Sequence, residues 1–269
     1  MSKRPVKERI KDFGEVALGF SKEEALEEAK RCLQCKKPLC IKGCPVQINI
    51  PKFVKEIAEE RFPDAIKTLK ETNSLPGICG RVCPQETQCE AFCILGKKGK
   101  PIDIGTLERF ASDEEMKNEG RRTRDEGRNA NDKIRNPQSP LISPKSEYGD
   151  KSAIRNSVKV AVVGSGPAGL TCAGELAKMG YEVTIFESLH KPGGVLRYGI
   201  PEFRMPRDIL DREIQYVKDL GVRIECDVLI GKTFTIQELF EQGYKAIFIG
   251  SGAGYPQFLN IEGENANGV

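Results

Sequence analysis

Arg31-Cys-Leu-Gln-Cys-Lys-Lys-Pro-Leu-Cys-Ile-Lys-Gly-Cys-Pro45 sets Cys32, Cys35, Cys40 and Cys44 on one short stretch. A second run, Cys79, Cys83, Cys89 and Cys93, follows after an intervening segment. The spacings are C-x2-C-x4-C-x3-C-P and C-x3-C-x5-C-x3-C, and they hold eight of the ten cysteines in the chain. Thiolates gathered this tightly are soft ligands that suit iron–sulfur clusters or zinc. Zinc ribbons favour paired short knuckles and often include histidine, whereas the single histidine here, His190, lies far along the chain. Eight thiolates match two four-iron clusters, so iron–sulfur is the preferred reading and zinc the alternative. Spacing alone suggests one cluster per run, with Cys79 among the ligands.

The sequence around these runs reads as helices. Ser21-x-x-Glu24 is a capping box, followed by Ala25, Leu26, Ala29 and Leu33 on one helical face. Pro51 suits the first turn of a second helix, with Phe53, Val54, Ile57 and Ala58 as its apolar stripe. Pro63 opens a third, with Ala65, Ile66 and Leu69 inward, and Leu75-Pro76-Gly77 reads as a turn. Residues 1–20 read as a basic, partly extended arm. The expected first unit is a small all-helical domain over 1–116, wrapped around its metal centres.

From 117 to 157 Asn, Arg, Ser, Pro and Gly dominate, which predicts a polar linker or loop. The pattern changes at Val158. Val158-Lys-Val-Ala-Val-Val163 is a short, β-branched run of the kind that a buried parallel strand needs. Gly164-Ser-Gly-Pro-Ala-Gly169 follows, then a helical stretch to about Met179, then the strand Tyr181–Phe186 ending at Glu187. A G-x-G-x-x-G motif between a strand and a helix, with an acidic residue closing the next strand, is the dinucleotide fingerprint. Gly164 permits the tight turn, Gly166 lets backbone approach a pyrophosphate, and Gly169 lets helix and strand pack closely. The helix N-terminus offers amides to phosphate. Glu187 is expected to accept hydrogen bonds from ribose hydroxyls, which favours NAD or FAD over NADP at this motif. Gly193-Gly194 reads as a second close backbone approach. A helix over Arg207–Leu220, a strand over Val222–Glu225, a short helix over Phe234–Glu241 and a strand over Lys245–Ile249 complete a Rossmann-like unit over 158–269. Cys172 and Cys226 read as small core residues, and His190 as an exposed loop residue.

Composition bounds the remaining classes. Net charge is +3 with 30% charged and 39% hydrophobic residues, which gives no argument for nucleic acid. The N-terminus carries no apolar leader, and no apolar run approaches the roughly 20 residues of a membrane span. The expectation is a cytoplasmic protein whose thiols stay reduced and serve metal chemistry.

Several stretches together carry a family likeness. Arg31-Cys-Leu-Gln-Cys35, Gly43-Cys-Pro45, Ile78-Cys-Gly-Arg-Val-Cys-Pro84 and Ile104-Gly-Thr-Leu-Glu-Arg-Phe110 resemble the small subunit of NADPH-dependent glutamate synthase. So do Val163–Leu170, Gly193–Pro201 and Phe258–Glu264. The same module is similar to the N-terminal part of dihydropyrimidine dehydrogenase and to the large subunit of ferredoxin:NADP oxidoreductases. This resemblance implies an N-terminal helical double [4Fe-4S] domain and a Rossmann-like domain holding FAD. It implies FAD contacts from Gly164, Ser165, Gly166, Pro167, Ala168, Gly169, Glu187, Gly193, Gly194, Val195, Arg204, Ile230 and Gly250. It also implies crossed cluster ligands: Cys44, Cys83, Cys89 and Cys93 for one, and Cys32, Cys35 and Cys40 with Glu108 for the other. Cys79 would stand behind the ligands without binding iron. Electrons would pass from NAD(P)H through FAD and the clusters to a partner, a glutamate synthase large subunit, another redox subunit or ferredoxin. The family continues with an NADPH domain beyond the point where this sequence stops at Val269. NADPH oxidation is therefore expected to need a missing domain or a partner chain, and an electron-relay or docking module is the alternative reading.

Overall fold

A computed structural model describes residues 2–130, 158–254 and 257–266. Strands β1 (Ser2–Lys3) and β2 (Ala17–Gly19) pair antiparallel around α1 (Val6–Arg9), so the N-terminal arm closes on itself. Helix α2 (Lys22–Lys30) starts at the expected capping box: Ser21 Oγ accepts from Glu24 N, and Glu24 Oε2 accepts from Ser21 N at 2.8 Å. Ala25 and Ala29 are buried, while Leu33 lies beyond the helix end and is exposed, contrary to the expected stripe.

Helix α3 (Leu39–Gly43) lies inside the first cysteine run. Helix α4 (Ile50–Ala58) is capped by Asn49 and carries Pro51 in its first turn, where the missing amide proton loses nothing. Helix α5 (Phe62–Lys70) follows. Phe53, Val54, Ile57, Ala65, Ile66 and Leu69 meet Leu107 and Phe110 in one core, where Phe62 and Phe110 stack edge to face at 5.3 Å. Burying such side chains contributes roughly 1.5–3 kcal/mol each.

Two expectations change here. Leu75-Pro76-Gly77 is not a free turn: Pro76 and Gly77 begin helix α6 (Pro76–Val82). Helix α7 (Ile104–Ala130) runs on through the first part of the stretch read as linker, where Arg, a good helix former, is the commonest residue and Pro is absent. The rest of that stretch, 131–157, lies outside the described residues.

Among the described residues the Rossmann-like unit has four parallel strands: β3 (Lys159–Val163), β4 (Glu182–Phe186), β5 (Arg223–Glu225) and β6 (Tyr244–Ile249), in the order β5-β4-β3-β6. Helices α8 (Pro167–Lys178), α9 (Val195–Tyr198), α10 (Arg207–Asp219) and α11 (Ile236–Glu241) connect and cover them. Alternation along β3 sorts the two faces. Val162 enters a core with Leu170, Val183, Leu210 and Ile214, whereas Ala161 enters another with Phe186, Leu239 and Tyr244.

Helix α6 joins the two units. Leu75 and Ile78 are buried in the Rossmann core, not in the helical one. Gly77 N donates to Glu213 Oε1 at 3.1 Å, Ser74 Oγ to Glu175 Oε1 at 2.6 Å, and Arg212 Nη1 to Met116 O at 3.0 Å. The helix that leads into Cys83 thus also forms the floor of the dinucleotide unit. No helix among the described residues is long and apolar enough to cross a membrane.

Candidate metal and dinucleotide sites

Cys32, Cys35, Cys40 and Cys93 line one pocket whose walls are otherwise largely apolar, including Ile50, Val54, Ile102 and Ile104. Burial pushes the Cys40 thiol up to about 11 and raises Cys32, and the neighbouring thiols reinforce both shifts. A second group forms around Cys44, Cys83 and Cys89. Burial pushes Cys83 up to about 11 and Cys89 further, with the Glu108 carboxylate and Cys44 adding to each shift. Metal binding at either group must release these protons.

Glycines set this division. A Cβ on Gly43 would lie 3.1 Å from Cys89 Cα and 2.5 Å from the Phe92 ring, so only glycine lets the backbone beside Cys44 press on the Cys89 loop. A Cβ on Gly80 would lie 2.5 Å from Arg109 N, so α6 and α7 touch backbone to backbone and Glu108 comes to the Cys79–Cys83 turn. The resemblance had implied Cys93 with Cys44, and Glu108 with Cys32. The structure exchanges the two: Cys93 lies with the Cys32 group and Glu108 with the Cys44 group.

Glu108 is buried and takes a 2.7 Å hydrogen bond from Asn73 Nδ2. Burial pushes its carboxyl up to about 8; the Asn73 bond opposes this, and the charge of Glu213 adds to it. Asn73 Oδ1 accepts from Leu75 N and lies 3.7 Å from Cys79 Sγ. Asn73 had no motif to mark it; its role comes from the fold alone. Among the described residues, no three His, Cys, Asp or Glu groups converge as a single metal ion would require. The donors fit a polynuclear cluster, whose irons are held by separate thiolates, better than tetrahedral zinc with sulfurs at about 2.3 Å.

The glycine motif lies in the turn from β3 to α8. Gly164 has φ +94°, and a Cβ there would lie 2.6 Å from Gly250 O. A Cβ on Gly169 would lie 1.9 Å from Gly164 O, so no other residue fits that helix–strand contact. Space above Gly166 is open, and Pro167 and Ala168 are exposed at the start of α8. Gly194 packs over Gly166, while Gly193 N donates to Ser165 Oγ at 2.9 Å. The fold therefore gathers Gly164, Ser165, Gly166, Gly169, Gly193, Gly194 and Gly250 at the β3–α8 turn, with open space at Gly166. Val195 and Arg204 are exposed on the following segments, and Ile230 packs against the Ala161–Phe186 core.

Glu187 is less free than expected for a ribose ligand. Its Oε2 accepts from Ser165 N at 2.9 Å and from Ser165 Oγ, and its Oε1 accepts from Leu189 N at 2.9 Å and Ser188 Oγ at 3.3 Å. Burial works to raise its pKa, but these bonds outweigh it and hold the carboxyl below its ordinary value. They occupy about four lone-pair directions, the full capacity of a carboxylate. Cys172 is half-buried against the Rossmann core, as expected, whereas Cys226 is half-buried outside the core clusters. His190 is exposed, with Nδ1 3.3 Å from Tyr198 Oη.

Residues 9–120 match the family described as dihydropyrimidine dehydrogenase domain II, 4Fe-4S cluster, and residues 162–223 match an NAD(P)-binding Rossmann-like domain. The chain is 35% identical to the NAD-dependent dihydropyrimidine dehydrogenase subunit PreT of Escherichia coli O157:H7, over 94% of this chain and 55% of that protein. It is 32% identical to the glutamate synthase [NADPH] small chain of Escherichia coli K12, over 99% of this chain and 51% of that one. The chain belongs to their superfamily. A further member of this set, the beta subunit of NADP(+)-dependent formate dehydrogenase from Moorella thermoacetica, is 36% identical over 84% of this chain and 31% of its own length. The chain spans about half the length of the first two relatives. The superfamily match selects iron–sulfur over zinc for the helical unit and places a Rossmann-like dinucleotide fold beside it.

Proposed function

We propose that the chain is the iron–sulfur and flavin part of an NAD(P)H-dependent oxidoreductase subunit, which delivers single electrons to a partner protein. The observation that carries this reading is the sharing of α6 between the two units: it leads into Cys83 at one end, and its Ile78 and the capping Leu75 pack into the Rossmann core with Val162 and Leu170. When bound, FAD takes up two electrons as a hydride and can release them one at a time, and four-iron clusters carry single electrons.

Cys32, Cys35, Cys40 and Cys93 would hold one cluster, and Cys44, Cys83, Cys89 and Glu108 the other. Asn73 orients Glu108 through its 2.7 Å bond. Gly166 would leave room for the pyrophosphate, and amides in the first turn of α8 would receive it. Ser165 and Glu187 lock the turn in shape, and the Gly193–Gly194 backbone closes over it. Units over 1–116 and 158–269 remain the working division, with α6 as the joint. The partner is a glutamate synthase large subunit, which makes glutamate from glutamine and 2-oxoglutarate; the similarity to glutamate synthase small chains supports it. A dihydropyrimidine dehydrogenase partner subunit or a ferredoxin is the alternative.

Anaerobic quantification of iron, sulfide and flavin tests this reading. About eight irons and one flavin per chain support it. Iron without flavin leaves an electron-relay module, and zinc in place of iron overturns it.

A further inference from the structure

The pocket lined by Cys32, Cys35, Cys40 and Cys93 lies under an unusual surface. Between Glu28 and Glu56 the sequence has no acidic residue but carries Lys30, Arg31, Lys36, Lys37, Lys42, Lys52 and Lys55. Between Glu90 and Asp103 it again has none, and carries Lys97, Lys98 and Lys100. Over the whole chain 42 basic residues face 39 acidic ones, so the asymmetry is local. The two lysine-rich segments are stapled together, because Arg31 Nη2 donates to Lys100 O at 2.8 Å. Lys52 and Lys55 have acidic partners in Glu71 and Glu59. Lys30, Lys36, Lys37, Lys42, Lys97, Lys98 and Lys100 are exposed and form no ion pair among the described residues.

Large apolar side chains interrupt this basic field at the pocket. Leu33 is 61% exposed, Leu39 45%, Phe92 49% and Ile94 49%, and all four line it. An apolar centre beside half-buried thiols, with Lys37 on its wall and further unpaired lysines on the same two segments, is the anatomy of a protein interface with a charged rim. We propose that this rim is the docking surface for an acidic one-electron carrier protein, whose redox centre is brought over the Cys32–Cys35–Cys40–Cys93 pocket. The inference rests on the proposed electron-delivering function and adds the site and the charge of the partner. A redox protein fits better than a lipid surface, because the exposed apolar residues surround a pocket of thiols and do not form one face of an amphipathic helix. The lysines would speed encounter and align the partner, and the four apolar residues would supply the dry contact.

The test uses the full chain, reconstituted with iron and sulfide, and an acidic two-iron ferredoxin as the probe. Binding is measured by surface plasmon resonance at about 20 mM and about 300 mM salt, where screening differs several-fold. The paired variants Lys36→Glu/Lys37→Glu and Lys97→Glu/Lys98→Glu are each expected to weaken binding at least tenfold at low salt and to flatten its salt dependence. Lys3→Glu/Lys7→Glu, the same charge change on the distant arm, is expected to leave it unchanged. Iron content and visible spectrum are read on every variant, which separates two kinds of failure. A chain that binds no iron fails the functional reading and takes this inference with it. A chain with full iron whose paired variants bind as the wild type does, or which does not bind ferredoxin at low salt, overturns the docking surface alone. Capture by phosphatidylserine vesicles without ferredoxin binding also overturns it, in favour of a membrane.

Discussion

Glu213→Gln is the substitution that most directly probes how the two units are joined. Glu213 is 4% exposed on α10, and its Oε1 accepts the 3.1 Å bond from Gly77 N at the start of α6. Its Oε2 and the nearby Ser112 Oγ have no hydrogen-bond partner among the described residues. Burial pushes its carboxyl up to about 8; Lys70, the Gly77 amide and Arg81 oppose this, and Glu115 adds to it. In the open chain the group would titrate near its usual value of about 4.3. Below that pH both states hold the proton, and the group adds no penalty. As pH rises toward 8, the open chain gives up the proton while the fold retains it, so stability falls; above 8 the loss is complete. At about 1.4 kcal/mol per unit, the ionised group costs the fold on the order of 5 kcal/mol. The Gln variant keeps an acceptor for Gly77 N and carries no charge. It is expected to match the wild type near pH 4 and to exceed it by a few kcal/mol at pH 8. Part of the gain comes from Glu108, whose own elevation the Glu213 charge increases. Guanidinium unfolding of both proteins at a series of pH values gives the difference directly. A difference that stays within about 0.5 kcal/mol across this window refutes the reasoning. Glu213→Ala leaves Gly77 N unpaired and is expected to lose about 1–3 kcal/mol even at low pH.

Three further outcomes follow from the sites. Cys32→Ala/Cys93→Ala is expected to lose no more iron than Cys32→Ala alone, about half, whereas Cys83→Ala/Cys93→Ala loses nearly all of it; equal losses in the two double variants would reject the grouping seen here. Glu108→Ala is expected to make the cluster of the Cys44 group labile while the electron paramagnetic resonance signal of the other persists, and an unchanged signal and iron content would exclude it as a ligand. Gly169→Ala forces a Cβ to within 1.9 Å of Gly164 O. It is expected to abolish flavin retention and to lower stability by roughly 3 kcal/mol, with iron content preserved; full flavin retention would disprove the tight-turn argument.

Much of the fold was legible in the sequence because its signals are local. The capping box at Ser21, Pro51 in the first turn of α4, and the β-branched run into Gly164 each act within a few residues, and each appears where expected. The linker reading gave way where helix-forming residues outweighed polarity, through Ala130. Neither Asn73 nor Glu213 belongs to a motif, and both acquire their partners only when α6 is sandwiched between α7 and α10. Glu187 was found by its place after β4, but its full set of internal donors could not be, because Ser165 reaches it across a βα turn.

The cysteine spacing and the glycine turn by themselves determined that this chain joins a thiolate-rich metal-binding domain to a Rossmann-like dinucleotide fold, since ligand chemistry and turn geometry depend on residue type and short spacing. Which thiols share a pocket was decided only by tertiary packing. Gly43 against Cys89 and Gly80 against Arg109 bring backbones together in space, and that contact sends Cys93 to one group of cysteines and Glu108 to the other.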